Sequence, residues 1–206
     1  MPFGVTGAKA ESALAQSGRT EWEMAEFFDA LTDDHRAFIA RQPLFFVATA
    51  APDARINLSP KGMDCFRVLG DTRVAYLDVA GSGNETNAHL AADGRITIMF
   101  CAFDNPALIF RIYGRGVAVL PQDDGWAGLA QHFTLLPGTR QIFEVAIDQV
   151  QTSCGWGVPH MSFERERQTL SKYHETHGDE IRFAKYAVRT TSIDGLPVRN
   201  PTRAIS

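Results

Sequence analysis

From residue 44 onward the chain reads as short apolar runs separated by turn residues. LFFVATA ends at Ala51-Pro52-Asp53, and ARINLSP, DCFRVLG and RVAYLDV follow, each bounded by turn formers. Such runs, rich in β-branched and aromatic residues, predict strands. RVLGDTRV predicts a hairpin around Gly70-Asp71. In ARINLSP, Ile56 and Leu58 alternate with Arg55, Asn57 and Ser59, giving an apolar face and a polar face. RITIMFCAF, LIFRIYGRGVAVL and RQIFEVAIDQVQTS predict three further strands, the last two long. Gly114 and Gly116 inside one of them predict a bulge, a bend or a close backbone approach.

Helical patterns flank and interrupt this series. Thr20 before EWEMAEFFDAL predicts a first helix, and Thr32-Asp33-Asp34 caps a second, HRAFIARQ, closed by Pro43. NETNAHLAAD predicts one short helix capped by Asn84 or Ser82 and ended by Asp93-Gly94. DDGWAGLAQHF and the polar tail from Ser162 are also helical in pattern, and the chain closes on the turn-rich SIDGLPVRNP. Residues 1–18 are small and polar and are expected to be flexible. Consecutive strands joined by tight turns favour an antiparallel barrel over a parallel sheet. No GxGxxG follows the first strand, which argues against a dinucleotide-binding Rossmann unit.

Composition narrows the function. The 206 residues are 45% apolar and 21% charged with a net charge of −4, ordinary for one globular domain and without the basic excess of a nucleic-acid binder. No segment approaches the ~20 apolar residues of a membrane span. The N-terminus lacks the basic-then-apolar order of a secretory signal, so a cytoplasmic location is expected. The three cysteines, Cys65, Cys101 and Cys154, form no CxxC; the first two sit in apolar runs and read as core. The scattered histidines make no HExxH or other metal set, and no GxSxG is present.

Four segments carry candidate chemistry. In GSGNETNAH, Gly81 to His89, a strand ends, glycines loosen the backbone and a helix begins. Free N–H groups at such a start attract anions, and Ser82, Asn84, Thr86 and Asn87 add donors; an ordinary capped helix is the competing reading. In NLSPKG, Asn57 to Gly62, a polar strand face meets Pro60 and then Lys61, suited to a phosphate or a flavin oxygen; a solvated lysine at a strand end is the alternative. Arg111, Tyr113 and Arg115 share a strand face, which suits phosphate, a carboxylate such as Asp78, or plain solvent. Trp156, between two glycines, is placed to cover a ring system or to anchor the tail in a groove.

Taken in order, from DDHRAFIARQPLFFVATAAPDARINLSPKG through YLDVAGSGNETNAHLAADGRITIMF to LIFRIYGRGVAVL, roughly residues 33–120, these segments resemble the pyridoxamine 5′-phosphate oxidase-like family of FMN-binding split barrels. The resemblance implies a mainly β fold: an antiparallel split barrel over residues 19–155, with flanking N-terminal helices, one inserted short helix, and a C-terminal helical arm over residues 156–206 packing on the barrel or a dimer partner. It implies a homodimer with FMN at the interface, and a flavoprotein that is an oxidoreductase on an unidentified small molecule. A non-catalytic flavin carrier or redox sensor, or a deazaflavin-binding relative, stands as the alternative. By position, Asn57, Leu58, Ser59 and Lys61 lie along the flavin, Leu77 and Asp78 beside its ring and ribityl chain, and Thr86 and Asn87 at the phosphate; Arg111 and Trp156 join the same site. Many relatives carry Arg-Lys where this chain has Thr86-Asn87, so Lys61, Arg55, Arg111 or Arg115 is expected to supply the positive charge. The Arg and His pattern by which true pyridoxamine-phosphate oxidases hold substrate is not evident after Gly155, which points to a different substrate.

Overall fold

The computed structural model describes residues 25 to 203. Eight strands, all paired antiparallel, carry the fold. They are β1 (Ala25–Phe28), β2 (Phe45–Thr49), β3 (Asn57–Lys61), β4 (Phe66–Gly70), β5 (Arg73–Val79), β6 (Arg95–Cys101), β7 (Leu108–Val119) and β8 (Thr139–Cys154). Among the described residues four helices join them: α1 (Asp33–Ala40), α2 (Glu85–Ala92), α3 (Trp126–Ala130) and α4 (Thr169–Val188).

The strands run in the order β3-β2-β6-β7-β8-β5-β4, with β1 added to the far half of β8. Laid flat, β3 and β5 would stand five strand spacings apart, roughly 24 Å. Yet Lys61 on β3 and Asp78 on β5 form an ion pair at 3.0 Å. The sheet has therefore curled into a barrel whose split lies between β3 and β5, and that split is where polar chemistry gathers. The interior is filled by alternating inward residues, among them Val47, Tyr76, Ile98, Phe100, Phe110, Ile112 and Phe143, all fully buried. Phe45, Phe66, Tyr76 and Phe100 meet mostly edge-on, at centroid distances of 5.1–5.7 Å, the geometry that aromatic quadrupoles favour.

Local rules explain most elements. Thr32 and His35 make a reciprocal capping box at the start of α1, and Phe38 of that helix packs on Phe110. The β4–β5 hairpin turns where the sequence predicted, with Gly70 opposite Arg73. Both glycines of β7 are used. The register shifts between Tyr113 and Gly114, and a Cβ at Gly114 would stand 2.2 Å from the Ala146 carbonyl oxygen. Gly116 lies against Leu90 of α2 and donates its N–H to the Gly94 carbonyl.

Two helical expectations need correction. The first N-terminal helix does not form over the described part of its segment: Ala25–Phe28 is β1, paired with Val150–Ser153 of β8. The free edge of β8 offered backbone partners there, and that pairing outweighs a local helical pattern. Residues 20 to 24 of the same segment lie outside the described residues. The tail helix begins at Thr169 rather than Ser162, and Gly178, at φ +65°, kinks it midway. No helix among the described residues is long and apolar enough to cross a membrane.

Candidate functional site

The split of the barrel opens into a cavity of about 290 Å3 lined by β3, the end of β5, the start of β8 and the loop into α2. On β3, the two-residue period aims Asn57, Ser59 and Lys61 to one side, the side that also carries the buried Phe45, Val47 and Thr49 of β2. Pro60 is tolerated because β3 ends the sheet path and one of its edges is unpaired. Its apolar alternates turn outward: Ile56 is 78% and Leu58 65% exposed.

An ion triad sits at the centre. Asp78, 2% exposed, receives Lys61 Nζ on Oδ1 at 3.0 Å, and on Oδ2 the Arg140 Nε and Nη2 at 2.9 and 2.7 Å and the Gln141 side-chain amide at 2.9 Å. Burial alone would raise the Asp78 carboxyl, but Arg140, then Lys61, then the hydrogen bonds hold it well below the ordinary carboxylate range. The carboxylate is thus a permanent anion that fixes two cations. Arg140 also donates from Nη1 to the Gly83 carbonyl at 2.8 Å, tying the glycine loop to the strand floor.

The loop and the helix start complete the wall. Asn84 occupies the cap position of α2 but makes no capping bond, because its Oδ1 accepts from Gln141 Nε2 at 2.7 Å. The first-turn amides of α2 therefore keep no side-chain acceptor from the cap, at the positive end of the helix dipole. Thr86 Oγ1 accepts from Asn57 Nδ2 at 3.1 Å, the same amide that reaches Thr49 Oγ1, and Ser59 Oγ donates to Asn57 Oδ1 at 3.2 Å.

Of the residues singled out by sequence, Asn57, Ser59, Lys61, Asp78, Ser82, Asn84 and Thr86 line this one cavity. The others do not. Leu58 faces outward, and Leu77 is packed in the core. Asn87 is buried and fully engaged, donating to Gln141 Oε1 and accepting from the Arg199 amide. Arg111 bonds Ser153 Oγ and Tyr113 bonds Gln151, both on the outer face of the sheet. Trp156 is 80% exposed. The expected counter-charges also divide: Arg55 pairs with Asp194 and Arg115 with the Asp93 carbonyl, leaving Lys61 in the cavity. Arg140 is the cation that sequence reasoning missed. Its signal was present in Thr139-Arg140-Gln141, three consecutive polar residues that open the long strand ahead of the apolar Ile142-Phe143, all three of them buried.

Two of the three thiols, Cys65 and Cys101, are buried. Burial pushes Cys65 up to about 12 and raises Cys101, and Cys154 is half-buried. Among the described residues no three His, Cys, Asp or Glu side chains gather as a metal set.

Fold and cavity define a split β-barrel protein with a polar, cation-bearing pocket at its seam. The pyridoxamine 5′-phosphate oxidase family model matches residues 31–154, and the chain belongs to this family. A protein of Aspergillus flavus named pyridoxamine 5′-phosphate oxidase family protein ustO is 36% identical over 193 residues, covering 84% of this chain and 78% of that one. Among solved structures, a putative pyridoxamine 5′-phosphate oxidase from Lactobacillus delbrueckii matches 60% of this chain and 94% of its own at 17% identity and TM-score 0.49. HutZ, the heme storage protein from Vibrio cholerae, matches 61% and 95% at 15% identity and TM-score 0.43.

Proposed function

We propose that this chain is an FMN-binding flavoprotein, an oxidoreductase that acts as a homodimer on a small molecule other than pyridoxamine phosphate. The observation that carries the proposal is the convergence of Asn57, Ser59, Lys61, Asp78, Arg140 and the start of α2 on one cavity, in a chain of this family. The donor set fits the cofactor. Lys61 and Arg140 are the two cations of the lining, Asp78 holds both in place, the other carboxylate, Glu85, is engaged by the Ile193 amide, and the uncapped α2 terminus adds its dipole, so donors for a phosphate converge there. Asn57, Ser59 and Thr86 suit the hydroxyls of a ribityl chain, and Pro60, Val79 and Phe143 give apolar wall beside them.

Bound FMN would supply the electron chemistry; the protein's residues orient it and set its electrostatics. In that role Asp78 positions: it holds Lys61 and Arg140 in fixed places, so neither cation has to reorganise when the anion arrives. The outward apolar pair Leu58, on the edge strand β3, and Ile56, just before it, supports a second copy seated on that face, with Arg111 and Tyr113 on the same side of the sheet to meet it.

Purified protein tests the reading directly. It should be yellow and should release FMN, identified by mass, on denaturation. A colourless protein that takes up no FMN in titration would overturn it. Bleaching by NADH or NADPH followed by recolouring in air distinguishes an enzyme from a carrier, which would stay oxidised.

A further inference from the structure

Behind the glycine loop lies a second, larger cavity of about 740 Å3, within the range of small-molecule sites. The loop Gly81–Glu85 and Arg140 form the wall between it and the Lys61 cavity, since both line both spaces. The opposite wall is α4. His174 docks that helix, bonding the Ala80 carbonyl at 2.7 Å and packing over Gly138, whose φ is +82°. The kink at Gly178 then lets residues from both halves of α4 line the same space.

The chemistry of that wall is uneven in a way that points to a ligand. Arg182, Lys185, Tyr186 and Arg189 recur at helical spacing and present one face to the cavity. Arg182 is neutralised by Asp179, and Arg140 by Asp78. Lys185 and Arg189 have no carboxylate within 4.0 Å among the described residues: Lys185 donates to the Tyr173 hydroxyl and Arg189 to the Ser82 carbonyl. The one carboxylate of the lining, Glu85, is held by the Ile193 amide. Apolar and aromatic surface stands beside these cations, in Leu170, Ile181 and the stacked Tyr173–His177 pair, 4.2 Å between centroids.

Tyr186 supplies the independent observation. It is 8% exposed, it lines the cavity, and its buried hydroxyl has no hydrogen-bond partner. Native folds rarely leave such a group unpaired without a reason. Burial raises this phenol to about 12, so it is a proton donor at neutral pH.

We propose that this cavity is a second ligand site, distinct from the flavin cavity, that takes a small organic anion: a carboxylate or phosphate on an aromatic or apolar body. Tyr186, Lys185 and Arg189 meet the anionic group, and the Tyr173–His177 stack and Ile181 meet the body. The two sites share Arg140 and the glycine loop, so occupancy of one bears on the geometry of the other.

Calorimetric titration of the full chain as purified, with phenyl phosphate and 1-naphthoate as probes, tests this. Saturable binding of one probe per chain is expected, with neutral phenol weaker by about tenfold or more. Tyr186→Phe should weaken the probes about three- to tenfold while leaving the melting temperature unchanged or raised, because it deletes an unpartnered hydroxyl and keeps the ring. The double variant Lys185→Gln/Arg189→Gln should weaken them by about tenfold or more. Absence of saturable binding into the millimolar range would overturn the proposal. So would affinity unchanged in both variants, or loss of binding in Lys61→Ala as large as in the double variant, which would put the probe in the other cavity. A lowered melting temperature in Tyr186→Phe would show that the hydroxyl serves the fold, and would remove it from the site.

Discussion

Arg140 grips Asp78 with two nitrogens on one carboxylate oxygen, at 2.9 and 2.7 Å, while Lys61 takes the other oxygen. The pair joins neighbouring strands at the seam of the barrel, both residues nearly inaccessible to solvent. Because Arg140 is committed to Asp78 and Gly83 at once, the ion pair also sets where the glycine loop stands.

Asp78→Asn should be among the most costly single substitutions in the chain. It removes the counter-charge from a buried guanidinium and from Lys61, and breaking a buried pair from one side costs about 3–5 kcal/mol. Chemical denaturation would show a lowered midpoint with the slope retained; a variant as stable as the parent would mean that water already solvates Arg140.

The same pair sets an acid limit. The folded Asp78 carboxyl lies below its unfolded value, so its contribution is complete above about pH 4 and is lost as pH falls through the folded value. Thermal melts of the parent should therefore lose stability with falling pH below about 4 more steeply than melts of Asp78→Asn, which lacks this titration. Parallel curves for the two would contradict that assignment.

Lys61 is the cation of the cavity with the simpler structural role, being on an edge strand and part-exposed. Lys61→Ala should lower FMN affinity by about tenfold, the worth of one charge-assisted contact, and Lys61→Arg should restore part of it. Flavin fluorescence during titration reads both. Retention unchanged in Lys61→Ala would shift the phosphate's counter-charge to Arg140 and the α2 terminus.

Gly114 permits β7 to pass β8 where the register shifts. A methyl group there meets the Ala146 carbonyl at 2.2 Å, backbone that has no rotamer to yield. Gly114→Ala should destabilise by about 1–3 kcal/mol or more, visible as a lower melting temperature. Gly128→Ala, where a Cβ meets nothing within 4 Å, is the control and should be near neutral.

The outward face of β3 tests the assembly. Leu58→Asp puts charge on an exposed apolar position outside the cavity. If that face seats a second copy, sedimentation should show a dimer that weakens by about 2 kcal/mol, roughly thirtyfold in Kd, in the variant. A parent that is monomeric at all concentrations would remove the homodimer from the proposal.

The sequence by itself determined the strand series from β2 to β8, the capped α1, the hairpin at Gly70-Asp71 and the two glycines of β7, because period, turn residues and caps are local properties. It also placed NLSPKG and GSGNETNAH in the order that the family resemblance requires. Only the tertiary structure decided that Ala25–Phe28 would be a strand, since the unpaired edge of β8 lies more than a hundred residues away in sequence. Only the curl of the sheet brought Lys61, Asp78 and Arg140 together. Period-two patterning says which side chains share a face but not which faces meet. That is why Arg111 and Lys61, both basic residues on strands, ended on opposite sides of the barrel wall, and why Arg140 became visible as a site residue only once the barrel had closed.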